Sequence, residues 1–320
     1  MKVSVRRMRV EDIPDVKRVD LLSFQELMEA RYPDVRRITP RTDDNLLSYM
    51  RSDPEGAFVA LGDHAGIIGS SFSHIWGKTG WVGPVSVLPA YQGKGVGKEL
   101  VKRSLEYLDQ AGCSDIGLET MPENQVNIGM YMRIGLKPAG LVLVMGKGLT
   151  EGVMDDDAPD DDAMIERFSE SRAKESLLGQ MRKLSDSVHP GLDYTREAAL
   201  TQDHASGETL LALDGNRLLG FSIVHTHPRR ERMQNAVVKA MVVSPGAGTG
   251  PLMPLIASSE LLALDDRSAE LSVPVPAMCT RAVDALLSRG YSVAQTYERM
   301  MWLGSSGMSE KVYNLCSWSG

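Results

Sequence analysis

A faint internal repeat constrains this chain more than any other feature. Residues 59–74 read VALGDHAGIIGSSFSH and residues 210–225 read LLALDGNRLLGFSIVH; superposed without a gap, Asp63 falls on Asp214, Gly69 on Gly220, Ser71 on Ser222 and His74 on His225. Each copy reads as strand, tight turn, strand, with Gly62-Asp63 and Asp214-Gly215 as the turn residues. Further on, Val87-Leu88-Pro89 matches Val243-Ser244-Pro245, glycines alternate at Gly93, Gly95, Gly97 and at Gly246, Gly248, Gly250, and Gly135-Leu136 matches Gly290-Tyr291. Between the copies lie six aspartates around Pro159, which repel one another and read as a solvated linker. Two copies of one fold are therefore expected: residues 1–150, an acidic linker 151–163, and residues 164–320.

Within the first copy the pattern predicts a strand over 2–8 and a helix from about residue 11, where Ile13, Val16 and Val19 share one face. Residues 23–54 are predicted to be partly helical, with breaks at Pro33 and Pro40. Strands follow near 57–62, 66–76 and 81–88, then a helix from about Gly97 to Gln110, ended by Ala111-Gly112. A strand over 115–121, a helix over 124–134 and a strand over 136–147 complete the unit. Strands and helices mixed in this way predict an α/β (α+β) domain with a mixed sheet.

The strand near 81–88 delivers the chain into Gln92-Gly93-Lys94-Gly95-Val96-Gly97-Lys98, and an amphipathic helix begins at once with Val96, Leu100, Val101, Leu105 and Leu108 apolar. A glycine turn at a helix N-terminus is an anion site. The first N–H groups of a helix have no internal partner, and the helix dipole adds about half a positive charge there. Glycine lets the backbone close on an oxyanion, and Lys94 and Lys98 add charge. A Walker A loop does not fit, because Glu99 follows Gly97-Lys98; nor does a dinucleotide GxGxxG, which belongs on the first strand–helix unit.

The pattern V-x-P followed by Q-x-x-G-x-G resembles motif A of the GCN5-related N-acetyltransferases (GNAT). About 30 residues on, NQVNIGMYMRIG with Leu136 after it matches a second element of that family through Asn127, Tyr131, Gly135 and Leu136. The resemblance covers roughly residues 3–148. It implies acetyl-CoA as co-substrate, its pyrophosphate on the turn Gln92, Gly93, Lys94, Gly95, Val96, Gly97 and Lys98. Its pantetheine arm would lie on the edge of Val85, Ser86 and Val87, with Asn127 touching the arm. Tyr131 would be the general acid that protonates the departing thiolate after direct attack by an amine. For the base the candidates are Glu119 on the next strand, His74, and water. The second copy lacks Gln, Asn and Tyr at the matching places (Asn127 becomes Ala282, Tyr131 becomes Leu286, Lys98 becomes Pro251), so it is expected to be degenerate and to help shape the acceptor pocket.

The remaining composition narrows the setting. A net charge of -7 disfavours nucleic acid as partner, and no apolar run reaches the roughly 20 residues of a membrane helix, so no membrane association is expected. Three scattered cysteines without a CxxC pair argue against zinc and disulfides; no metal is expected, and a cytoplasmic location is. The expected acceptor is an amine-bearing small molecule or peptide, bound by residues 26–37, the strand around His74 and the second copy. Alternatives are a tandem small-molecule transferase like mycothiol synthase or an aminoglycoside-modifying enzyme, and an acyl-CoA sensor or scaffold without turnover.

Overall fold

The computed structural model describes residues 3–31, 38–63, 66–150, 164–310 and 313–316. The acidic linker and residues 32–37 lie outside them. The first half runs β1 (Ser4–Arg7), α1 (Ile13–Arg31), α2 (Asp43–Ser52), β2 (Phe58–Leu61), β3 (Ile67–Trp76), β4 (Thr79–Val87), α3 (Val96–Gln110), β5 (Asp115–Thr120), α4 (Gln125–Arg133) and β6 (Lys137–Gly148). The second repeats that order as β7 (Met164–Arg167), α5 (Lys174–Val188), α6 (Thr195–Asp203), β8 (Gly207–Asp214), β9 (Arg217–His225), β10 (Asn235–Val243), α7 (Leu252–Asp265), β11 (Glu270–Pro276), α8 (Thr280–Ser288) and β12 (Ser292–Leu303). A further strand, β13 (Tyr313–Cys316), follows.

The repeated residues seat a helix on the sheet in each half. Ser71 Oγ lies 3.0 Å from Ser104 Oγ of α3, and Ser222 Oγ lies 3.1 Å from Ser259 Oγ of α7. Gly69 and Gly220 let the same helices close in: a Cβ at Gly69 would sit 2.9 Å from Leu100 Cδ1, and one at Gly220 3.2 Å from Leu255 Cδ1. The apolar face of α3 is fully buried through Val96, Leu100, Val101, Leu105 and Leu108, as its periodicity predicts. Helix α2 starts on Thr42, whose side chain accepts from the Asn45 N–H, and α1 ends at Arg31, short of the break predicted at Pro33.

All the strands join one sheet, in the order β1-β2-β3-β4-β5-β12-β6-β11-β10-β9-β8-β7, with β13 beside β10. This corrects the expectation that the strand over 136–147 completes its own copy. Strand β6 pairs with β11 and β12, and β12 pairs with β5, so each half lends the other its strand. The centre of the sheet is the antiparallel β6–β12 pair, with Tyr297 opposite Val142. At the joint Arg299 of β12 is fully buried and reaches Glu119 of β5, with Nε at 3.0 Å and Nη2 at 2.7 Å from Oε1.

Loops lock the halves further. Residues of the β9–β10 connection lie on the α1–α2 connection: Thr42 N–H donates to Arg229 O (3.1 Å) and Glu231 N–H to Pro40 O (2.9 Å). Reciprocally, Lys78 N–H in the β3–β4 turn donates to Gly191 O (2.7 Å) between α5 and α6.

Candidate functional site

Strands β4 and β5 run parallel only from Thr79 opposite Asp115 to Val82 opposite Leu118, and then part. On its other side β4 stays on β3, with Val85 opposite Ser71 and Val87 opposite Gly69. Between those two stretches the register slips at Gly83-Pro84, a bulge that turns β4 away from β5. Leu88 N–H bonds to Ile68 O, so by alternation the N–H groups of Val85 and Val87 point away from β3, into the fork. Ser23 Oγ of α1 lies 3.4 Å from the Val87 nitrogen.

The fork opens onto the glycine turn. A 3-10 turn over Pro89–Tyr91 leads to Gln92, whose Nε2 donates to Val87 O (3.2 Å), and Lys94 Nζ donates to Ala90 O (2.8 Å). Gly93 (φ +70°) and Gly95 (φ +87°) both occupy the left-handed region, which side chains disfavour. Gly95 is the N-cap of α3, and Glu99 N–H closes onto Gly95 O. The N–H groups of Val96, Gly97 and Lys98 thus precede the first helical bond and face outward as a cradle for an anion. Gly97 sits beside Val87, so cradle and strand edge are continuous.

Helix α4 closes the far side. Buried Asn124 caps it by accepting from Asn127 N–H (3.2 Å), and Asn127 is half-buried one turn ahead of Tyr131. Tyr131 is buried in the apolar cluster that holds Val82 and Leu118, the last paired residues of the fork. Burial pushes its phenol up to about 12, which keeps the proton on the hydroxyl at neutral pH. The residues predicted for the cofactor and for the acid therefore line one fork.

The two residues suggested as bases sit differently. Glu119 has no exposed side-chain surface, and two guanidinium nitrogens of Arg299 occupy its Oε1, so an incoming amine has no access to it. His74 Nε2 lies 2.7 Å from Gly83 O; a carbonyl can only accept, so this nitrogen carries the proton. Burial first, then the charge of Lys239, pushes His74 down to about 4, a neutral ring stacked on Trp76 at the bulge. Its counterpart His225 contacts Thr201 Oγ1 (3.0 Å) and Glu197.

In the second half the equivalent fork is filled. Strands β10 and β11 pair from Asn235 opposite Glu270 only as far as Val237 opposite Ser272. Beyond that β13 lies on β10, with Ala240 opposite Cys316 and Val243 opposite Tyr313. Val243 matches Val87, so a protein strand occupies there the edge that is open in the first half. Arg299 Nη2 also donates to Cys316 O (3.1 Å), which ties this strand to Glu119. Sequence reasoning missed β13 and Arg299, because nothing local marks a strand as the filler of a distant fork.

Among the described residues, no group of three or more His, Cys, Asp or Glu side chains is placed to hold a metal ion. No helix in them is long and apolar enough to cross a membrane.

Comparison with known proteins bears on the family and the fold. Residues 21–136 match the model of the acetyltransferase (GNAT) family. An acetyltransferase of Sodalis glossinidius is 31% identical over 103 residues, which cover 32% of this chain and 71% of that protein. A mycothiol acetyltransferase of Renibacterium salmoninarum is 26% identical over 129 residues, or 38% of each chain. Across both halves, the chain resembles in fold a tandem GNAT protein from the clavulanic acid biosynthesis pathway, with a TM-score of 0.60 at 13% identity, covering 94% of this chain and 98% of that one.

Proposed function

The chain belongs to the GNAT acetyltransferase family, and we propose that its first half moves the acetyl group of acetyl-CoA onto an amine by direct attack. One observation carries this reading: the β4–β5 fork is open, ends on a helix N-terminus with unpaired amides, and holds a protonated tyrosine at its base. The pyrophosphate would rest on the amides of Gly93 to Lys98, where backbone and dipole favour negative charge. The pantetheine arm would extend β4 in the manner of an added strand, along Val85, Ser86 and Val87, with Asn127 against it.

In the reaction the amine nitrogen attacks the thioester carbon, the C–S bond breaks, and the thiolate takes the Tyr131 proton. The Val85 or Val87 N–H polarises the carbonyl before attack. The ammonium form of the acceptor must first lose a proton. With Glu119 enclosed by Arg299 and His74 committed to Gly83 O, that proton passes to water.

Tyr131→Phe tests the assignment. Loss of a general acid typically removes 10²- to 10⁴-fold of rate, roughly, so kcat should fall by that order while the KM for acetyl-CoA stays within about twofold. Unchanged kcat would remove Tyr131 from the chemistry.

A further inference from the structure

Resting on that reading, we propose that the acceptor carries an anionic group, a carboxylate or a phosphate, as well as its amine, and that Arg229 of the second half binds it. The loops place three guanidinium groups together on one flank of β4. Arg41 and Arg230 face each other in a β-bridge, and Thr42 N–H bonds to Arg229 O, which fixes the adjacent residue on the same rung. Arg41 Nε donates to Asp20 Oδ1 (2.9 Å), Arg230 Nη2 lies 2.8 Å from Asp20 Oδ2, and Ser86 Oγ of β4 is 3.5 Å from Asp20. A single carboxylate therefore serves two of the three, against the strand that would carry the acetyl group.

The other neighbours of this place do not balance the charge. Arg41 Nη1 also reaches Tyr49 OH (3.1 Å), and Lys239 lies 5.3 Å from the centre of the Trp76 ring. Burial alone would push the Tyr49 phenol up, yet the charges of Arg41, Arg229 and Lys239 bring it below its ordinary value. Of the other carboxylates nearby, Asp43 and Glu231 share Lys17, and Glu197 is held by Trp76 Nε1 (2.8 Å) and His225. In a chain with a net charge of -7, such a half-buried surplus of cations marks a place built for an anion. Arg229 makes no ion pair among the described residues, so its guanidinium is free to supply the bidentate contact.

The surplus faces the fork. Asp20, which joins Arg41 and Arg230, lies 3.5 Å from Ser86 Oγ on β4, and Ser23 of the same helix lies 3.4 Å from the Val87 nitrogen. An acceptor amine that reached the Val85–Val87 edge would bring an acid on the same molecule within reach of this flank.

Pairs of acceptors separate this from general transfer. Lysine against cadaverine and glucosamine 6-phosphate against glucosamine should show the acid-bearing member favoured by roughly 10- to 100-fold in kcat/KM, the scale of one charged hydrogen-bonded contact. Arg229→Met should equalise each pair, and Arg229→Lys should keep part of the preference. The acetyl-CoA KM should stay within about twofold in both. Equal turnover within each pair in the wild type, or a preference that survives Arg229→Met, overturns the inference. If no acceptor releases thiol from acetyl-CoA, the transferase reading falls instead, and ligand binding decides alone. Inorganic phosphate or acetate should then raise the wild-type Tm and leave Arg229→Met unmoved; equal responses overturn the anion site.

Discussion

Asp53 and Glu197 lie on opposite sides of the seam between the halves and are displaced in opposite directions. Burial raises Asp53 to about 7, against the nearby charge of Arg196 and the N–H of Ile75. Burial acts on Glu197 too, but His225, Lys239 and Trp76 outweigh it and hold it at about 2. The two make opposite contributions to stability. An acid whose folded pKa is raised binds the extra proton in the folded state, so its contribution is present below about pH 4 and is lost as pH rises through 7. Glu197 contributes above about pH 4.5, and that contribution is lost as pH falls toward 2. Asp53→Asn should therefore leave stability unchanged near pH 4 and raise it near pH 7.5 by a few kcal/mol, at about 1.4 per pKa unit. Urea melts at the two values measure this, and an equal shift at both would refute it. Neither role is legible in the sequence, where Asp53 is an ordinary residue after a helix. By contrast Gly93, Gly95, Asn127 and Tyr131 are legible, because their work is local: a positive φ, a helix start, and two positions one turn apart. Glu119 was legible only as a carboxylate on a strand; the arginine that encloses it comes from the other half.

At the scale of elements, the fork is decided by what lies in it. The glycines of both copies look alike, and composition alone leaves a weak anion site in each. The N-cap of α7 is Pro251 and not a left-handed glycine, and β13 occupies the edge of β10. Titration calorimetry with acetyl-CoA should accordingly give one site per chain, and that site should be lost when Gly95 is changed to Val, which the backbone at φ +87° disfavours. A stoichiometry of two would show that β13 yields to the cofactor. A strand of four residues more than 60 positions beyond β10 leaves no periodic trace of its partner, so this part of the site was hidden from sequence reading.

For the whole molecule, the exchange of β6 and β12 makes the halves one cooperative body. The repeat revealed two copies but not this exchange, since the apolar pattern of a strand specifies which face is buried and not which neighbour pairs with it. The buried ion pair across the joint should couple the halves. Arg299→Met takes from buried Glu119 the guanidinium that holds its Oε1, and breaking such a pair costs roughly 3–5 kcal/mol. Hydrogen exchange at β3 and β9 should then quicken together, by similar factors; protection lost in one half alone would show that the halves unfold separately. Residues 1–150 expressed alone should lack a neighbour for β5 and melt far below the full chain.

The borrowed strand also sets an order in time. During synthesis the first half emerges complete in every element of its own, yet the place beside β5 stays vacant until residues beyond 300 have left the ribosome. Its fork therefore gains a firm outer wall only after the second half exists, through contacts among the most distant in sequence that the sheet contains, and these form slowly. Activity in this protein should appear only once β12 has emerged and docked beside β5, as a property of its later strands as much as of its first.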